Sequence, residues 1–429
     1  MALTMEMLDY INSQYGNLAE ILFTLNEHNE IHLPMWNCHR QTIPMKKTLL
    51  FSFFFILLLG NTHGQEVKIP SHWPDAFFSG DQGKMHVQGM ALDKENGFIY
   101  LSFTNKLVKM DLSGHVVGSV GGFMGHLGDL DFNEEDGKIY GSLEYKNDAI
   151  GKGIKKTLGK EESTGVNGFY IAIFDGAKIV RSDMDAETED LLRTVYLSEV
   201  VQDYETKVNV AGKIMPHRFA CSGIDGLTFA PTIGSSNLNK KYLYVAYGIY
   251  GDVDRDDNDH QVILKYDVSN WDKYEKQLSQ DNLHTSGPKK PAEKYFVKTG
   301  NTRYGIQNLA YDSHTGNLFA AVYKGIKTQF PNYDLFVIDG HNKPRRSHIH
   351  SDNKEIKVKT LSLLQAGPKD SDPGIHGWHF KWGATGIQSL GDGLFYISHN
   401  EKDDNGLQRT TLYKYRWVGD SQNAFIREN

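Results

Sequence analysis

Cysteine is almost absent from this chain: 429 residues hold only Cys38 and Cys221. A disulfide framework is therefore excluded as the source of stability. Basic excess is missing too. Lys and Arg number 46 against 53 Asp and Glu, the formal net charge is −7, and no long basic run occurs. A nucleic-acid partner is excluded on that ground. There is no G-x-S-x-G elbow and no H-E-x-x-H pair, so neither a hydrolase serine nor a zinc-protease helix is encoded. Residues 153–160 resemble a phosphate loop, but the spacing is one residue too long and Glu161 stands where Ser or Thr is required. This stretch reads as an exposed basic loop.

Long apolar runs are scarce as well. The most informative, residues 49–59, is broken only by Ser52. It falls short of the roughly 20 residues needed to span a bilayer. Met45, Lys46 and Lys47 precede it, and Thr62-His63-Gly64 follow. A basic start, a short apolar stretch and a small-x-small end compose a secretory signal peptide, with cleavage expected after Gly64. A buried helix or a membrane anchor is the competing reading. Export signals act at the N-terminus, so Met45 is expected to be the true start and residues 1–44 an upstream extension. Residues 65–429 then form the mature protein, one domain with Cys221 alone. Gln65 follows the cut, which argues against a lipoprotein anchor. The expectation is a secreted or periplasmic soluble protein with no stable membrane anchor.

What the chain does have is an internal repeat. Gln88-Gly89-Met90-Ala91-Leu92 recurs as Gly128-Asp129-Leu130-Asp131-Phe132, Asp225-Gly226-Leu227-Thr228-Phe229 and Gln307-Asn308-Leu309-Ala310-Tyr311, and more weakly as Thr385-Gly386-Ile387-Gln388-Ser389. Turns rich in Asp, Asn and Gly follow, for example Asp93 to Gly97 and Asp312 to Gly316, and lead into runs of β-branched and aromatic residues. Such turns and runs are strand punctuation and strand filling respectively. Third strands are expected at 107–111, 169–175, 262–267, 335–339 and 411–417. Fourth strands are expected at 115–120, 193–199, 293–299 and 355–362. The best helix candidate, 190–200, reads equally well as an outer strand. Residues 145–166 and 270–291 read as long surface loops, and residues 66–69 as a segment that closes the ring.

Four antiparallel strands per repeat, five times over, is the build of a β-propeller, with six blades or a β-sandwich as alternatives. From His86 to Trp417 the chain resembles the broad superfamily of five- and six-bladed propellers. That resemblance implies a central channel and no particular activity, since such propellers include glycosidases, lactonases, nucleotidases and pure binding proteins.

In a propeller, the loops entering each inner strand surround one mouth of the channel. Here they carry His86, His126, His217, Arg218, Arg303, Tyr304, His376, Trp378, His379 and Trp382. The inner strands add Gln88, Asp129, Asp225 and Gln307 at matching positions. Convergent polar groups with aromatic walls are what pockets use. Asp129 and Asp225 are expected as acid/base or metal groups, and His86, His126 and His217 as proton-transfer groups. Arg303 and Arg218 suit an anion, and Trp378 and Trp382 suit stacking on a sugar. Asp129, Glu144 and Asp225 are the carboxylates available for glycoside chemistry. A separate acidic loop holds Asp252, Asp254 and Asp256, hard oxygen donors that suit Ca²⁺ without the EF-hand spacing. The expected ligand is a small molecule or glycan. A hydrolase or lyase on a carbohydrate or similar metabolite stands beside a non-catalytic binding module.

Overall fold

The computed structural model describes residues 73–157, 166–368 and 374–428, together with two short paired strands, Thr24–Leu25 and Ile31–His32. The chain divides into two units, Met1–Val67 and Lys68–Asn429. Apart from those two strands, the expected extension, the signal peptide and the closing segment 66–69 lie outside the described residues. No helix among the described residues is long and apolar enough to cross a membrane.

The second unit is a five-bladed β-propeller. Blade one runs Val87–Asp93, Phe98–Phe103, Lys106–Asp111 and Val116–Gly121. Blade two runs His126–Asn133, Lys138–Tyr145, Gly168–Phe174 and Leu192–Tyr196. Blade three runs Cys221–Pro231, Lys241–Ile249, His260–Tyr266 and Glu293–Lys298. Blade four has Thr302–Asp312, Asn317–Lys324 and Leu335–Ile338. Blade five has Ile387–Gly391, Leu394–Lys402 and Gln408–Trp417. Its outer edge is shared by Ala76–Phe78 from the start of the unit and Phe425–Arg427 from its end. The ring is thus closed by residues 76–78.

The repeat turns form for a local reason. Gly97, Gly137 and Gly316 each take a φ near +70° and donate their amide to the residue four back, Asp93, Asn133 or Asp312. Only glycine adopts that conformation without strain. Five apolar clusters, one per seam, hold the blades together. The seam between blades two and three packs Phe169, Ile171 and Val195 against Leu227, Leu243 and Tyr247. The closing seam packs Phe77, Tyr396 and Leu412 against Met90, Leu101 and Val108.

Three outer elements differ from expectation. Lys354–Thr360 is a strand, but it pairs parallel with Glu293–Lys298 and so extends blade three, with Arg345–Ser351 beyond it. Ile349, Ile356 and Val358 pack against the blade-three core, and Lys359 pairs with Glu293 at 2.6 Å, which is what draws the hairpin there. Blade four's outer edge is instead built from isolated bridges of Trp378 to Leu335 and Leu363 to Ile338. Residues 190–200 split into the strand Leu192–Tyr196 and the start of a helix, Ser198–Glu205. The 145–166 insertion carries a second helix, Ala149–Thr157.

Candidate functional site

Pairing breaks near the start of the first four inner strands. The ladder skips between Val87 and Gly89, Leu127 and Leu130, Ile224 and Leu227, and Ile306 and Asn308. The residues left out of register include Gln88, Asp129, Asp225 and Gln307. A β-bulge frees a residue from the ladder and re-aims its side chain. The recurring motif seen in sequence is therefore a recurring bulge.

Three of these four, Gln88, Asp225 and Gln307, line a cavity of about 710 Å³ together with His86, His126 and Tyr304. Thr104, Glu144, Lys146, Ser222, Tyr323 and Asn400 complete its polar wall, and Ala149, Gly153 and Ile154 of the helix close one side. At the centre, His126 Nδ1 lies 3.5 Å from Glu144 Oε1 and 3.7 Å from Asp225 Oδ1, with no hydrogen bond of ordinary geometry. Lys146 Nζ sits 2.5 Å from Glu144 Oε1 and donates to the Ser222 carbonyl. Glu144 Oε2 accepts the Ile224 amide. Asp225 Oδ2 accepts from Gln307 Nε2 at 2.9 Å. Gln88 Nε2 bonds Thr104 Oγ1 and lies 2.9 Å from His86 Nδ1. The packing is tight. Gly223 has φ +124°, and a Cβ there would sit 2.0 Å from Glu144 Oε2.

These four charges split their proton affinities. Burial pushes the Asp225 carboxyl up to about 7; the His126 cation opposes this and the Glu144 charge assists. Burial also acts on Glu144, but Lys146 and His126 outweigh it and hold the group below its ordinary value. For His126, burial opposes the cation, yet Glu144 and Asp225 together raise its affinity. His86 is pulled down to about 4 by burial and then by the His126 charge, so it is neutral at physiological pH. Burial, with Asp225 nearby, lifts the Tyr323 hydroxyl to about 12. Groups whose environments push them apart in this way are candidate acid/base partners.

Asp129 is placed differently. It is 2% exposed and does not line the cavity. Its oxygens accept the amides of Leu130, Leu227 and Leu309, tying the inner strands of blades two, three and four. Asn308 crosses the same layer to the carbonyls of Gln88 and Ala384. Beyond this plug, Asp131 holds Gln388, Thr228 and the Phe229 amide beside a small void of about 70 Å³.

The remaining candidates separate. His217, Arg303 and Asp252 line a second cavity of about 480 Å³, which shares Tyr304 with the first. His217 lies between Tyr204 and Tyr250, at 4.3 and 5.1 Å between ring centres. His217, Phe219, Ala220 and Tyr304 all have positive φ. Strained non-glycine backbone of this kind concentrates at functional sites. Arg218 lines neither cavity; it bonds Thr206 and faces Asp203. Trp378 is a core residue, 1% exposed, with its indole N–H on the Asp420 carbonyl. His379 lies 3.7 Å from Asp334, and Trp382 stacks on His399. Trp378 bridges the outer edge of blade four, Phe380 and Trp382 pack on blade five, and none of residues 376–382, His376 included, lines the cavity.

The acidic loop does not gather its carboxylates. Asp252, Asp254 and Asp256 are exposed. Its centre is filled by protein cations: Arg255 bonds Asp257 and two carbonyls, and Lys327 bonds Asn258 and Asp259. Among the described residues no group of three His, Cys, Asp or Glu is arranged to hold a metal.

The sequence reading did not single out Lys146, Tyr323, Lys84 or Lys402, which also line the cavity. The signal was the antiparallel hairpin itself. His126 pairs with Glu144 and Arg303 with Tyr323, so the last residues of each second strand reach the same channel end as the first residues of the inner strand.

No family model and no curated protein matches the chain. Solved structures are similar at low identity. The holo PQQ domain of pyranose dehydrogenase from Coprinopsis cinerea is 12% identical over 77% of this chain and 83% of that one, with a TM-score of 0.31. A GH43 β-1,3-galactosidase with galactodeoxynojirimycin is 12% identical over 80% and 96%, with a TM-score of 0.37. The calcium-binding protein regucalcin from Agrobacterium tumefaciens is 11% identical over 80% and 94%, with a TM-score of 0.29. At these scores the likenesses carry no argument about chemistry, and the site is read from its own geometry.

Proposed function

We propose that the 710 Å³ cavity is the active site of an exported acid/base enzyme, a lyase or hydrolase acting on a carbohydrate or similar polar metabolite. The observation that carries this is Asp225: a cavity-lining carboxyl poised near neutrality, where a proton can be both held and released. His126, with Glu144 and Lys146 behind it, sets that poise. His86, kept neutral, is the accompanying base or hydrogen-bonding group. Tyr323 offers a proton donor beside Asp225.

Two-carboxylate hydrolysis needs a second accessible acid. Glu144 is 3% exposed and both its oxygens are taken, so it acts as a positioning group. This favours elimination over hydrolysis. The test is incubation of the full chain with an oligosaccharide panel and mass analysis of the products. Products of a lyase sum to the substrate mass, whereas those of a hydrolase exceed it by one water. Product formation unchanged in Asp225→Asn would sink the assignment. The second reading, a binding module, draws on Tyr304, an aromatic 42% exposed between the two cavities. It predicts a bound saccharide that emerges unaltered after long incubation.

A further inference from the structure

The charge around the cavity mouth runs against the charge of the chain. The whole sequence carries −7, yet the exposed residues lining this mouth include Lys84 and Lys402. These two come from neighbouring segments, because the backbone of Gly83 bonds Gln408 and Gln408 pairs with Lys402. Neither lysine has a carboxylate partner among the described residues. Across Tyr304, the second cavity presents Arg303, exposed and likewise without an ion pair among the described residues. The one acid on that second wall, Asp252, caps the Asp254 amide.

Unpaired cations collected at a concave mouth focus field lines and draw in anions. Arginine in particular offers a planar fork for a carboxylate, sulfate or phosphate. We infer that the ligand of this site is an acidic saccharide longer than one ring, with one anionic group between Lys84 and Lys402 and another at Arg303 in the second cavity. The inference rests on the proton-transfer reading of the first cavity for the location of the reacting ring, and it adds the ligand's charge and reach. Tyr304, which belongs to both walls, would lie under the linkage between two rings.

The test is a binding titration on the full-length Asp225→Asn chain, so that turnover does not consume the probe. Three probes of similar length are compared: trigalacturonate, a sulfated galactan trisaccharide and neutral galactotriose. The expected result is that at least one acidic probe binds tenfold or more tightly than galactotriose, with affinity falling as salt rises. Which acidic probe wins distinguishes carboxylate from sulfate as the source. Lys84→Gln with Lys402→Gln, and separately Arg303→Gln, should each weaken that probe about tenfold and leave galactotriose unaffected. All three positions are exposed, so unfolding is not expected, and a melting curve checks it. Equal affinity for neutral and acidic probes, no binding of any probe, or indifference of the acidic probe to these substitutions overturns the inference. Turnover of a neutral saccharide by the wild type would overturn it while leaving the proton-transfer reading intact. Conversely, charge-dependent binding with undiminished turnover in Asp225→Asn would leave the inference standing and remove that reading.

Discussion

Asp129 and Asp225 invite comparison because they sit one repeat position apart in neighbouring blades and meet opposite surroundings. Both stand in the bulge of an inner strand, in adjacent blades, and burial raises the affinity of both for a proton. Asp129 faces three backbone amides from three blades. Asp225 faces the cavity, a histidine and one amide side chain. A carboxylate whose lone pairs are taken by backbone donors is structural cement. One left half-satisfied beside a cavity keeps its proton chemistry available. The channel is therefore divided along its length into a cavity-bearing end and a welded middle.

Substitution should pull the two apart in opposite directions. Asp225→Asn is expected to lower turnover by about 10²–10⁴, the usual contribution of a positioned acid or base. The same change should stabilise the fold. The ordinary carboxyl value is 3.8 and the folded value about 7. Between those limits the folded state holds a proton that the unfolded state releases. Stability therefore falls as pH rises through that window and levels off above it. His126, also raised, contributes a slope of the same sign across its own window. Asparagine removes the Asp225 part, on the order of 2–4 kcal/mol at pH 8, and unfolding curves at pH 5 and 8 measure the change. Asp129→Ala should do the reverse, costing about 3–5 kcal/mol by leaving buried amides without an acceptor.

The array behind Asp225 gives the next largest effects. Lys146→Met leaves the buried Glu144 carboxylate with His126 as its one remaining cation, expected to cost about 3 kcal/mol. If stability holds instead, Glu144 has taken up a proton, and His126 should then titrate lower by NMR. In the welded part of the ring, Phe77→Ala removes the N-terminal anchor of the closing seam, expected to cost about 3–4 kcal/mol without altering the pH profile of turnover.

Five strand groups with a recurring motif in the first strand are legible in the sequence, because turn chemistry and strand filling are local. The inner strands, all five third strands and three of the four expected fourth strands fall where the pattern puts them. Lys354–Thr360 does not, since the partner of an outer strand is chosen by apolar residues such as Ile349 and Val358 finding a distant face. The same division applies to the site. His86, Gln88, His126, Asp225, Tyr304 and Gln307 sit at strand starts that the repeat marks. The aligned repeats set Asp129 one place after Asp225, in register with Gly226 and Asn308, and Asn308 shares its plug layer. Trp378 and Trp382 look like a sugar platform until Trp378 is seen bridged to Leu335 and Trp382 stacked on His399 of blade five.

The acidic loop supplies the smallest and most discriminating test of the same contrast between satisfied and available charge. A calcium loop and a loop organised by its own cations have similar sequences but opposite responses. Here Lys327 bonds Asn258 Oδ1 and Asp259 Oδ1 from a nearly enclosed position, 3% exposed at its side chain. Asp252, Asp254 and Asp256 lie outside that knot. Asp254→Asn and Asp256→Asn should therefore shift stability by no more than about 0.5 kcal/mol, the range of ordinary surface substitutions. Millimolar Ca²⁺ should leave the melting temperature of the full chain unchanged. Lys327→Met should cost about 3 kcal/mol, because the Asp259 carboxylate and the Asn258 oxygen lose the charge they enclose. A melting temperature that climbs with Ca²⁺, and stops climbing in Asp254→Asn, would show that the loop recruits the ion the three carboxylates suggest and that its internal lysine does not fill that role.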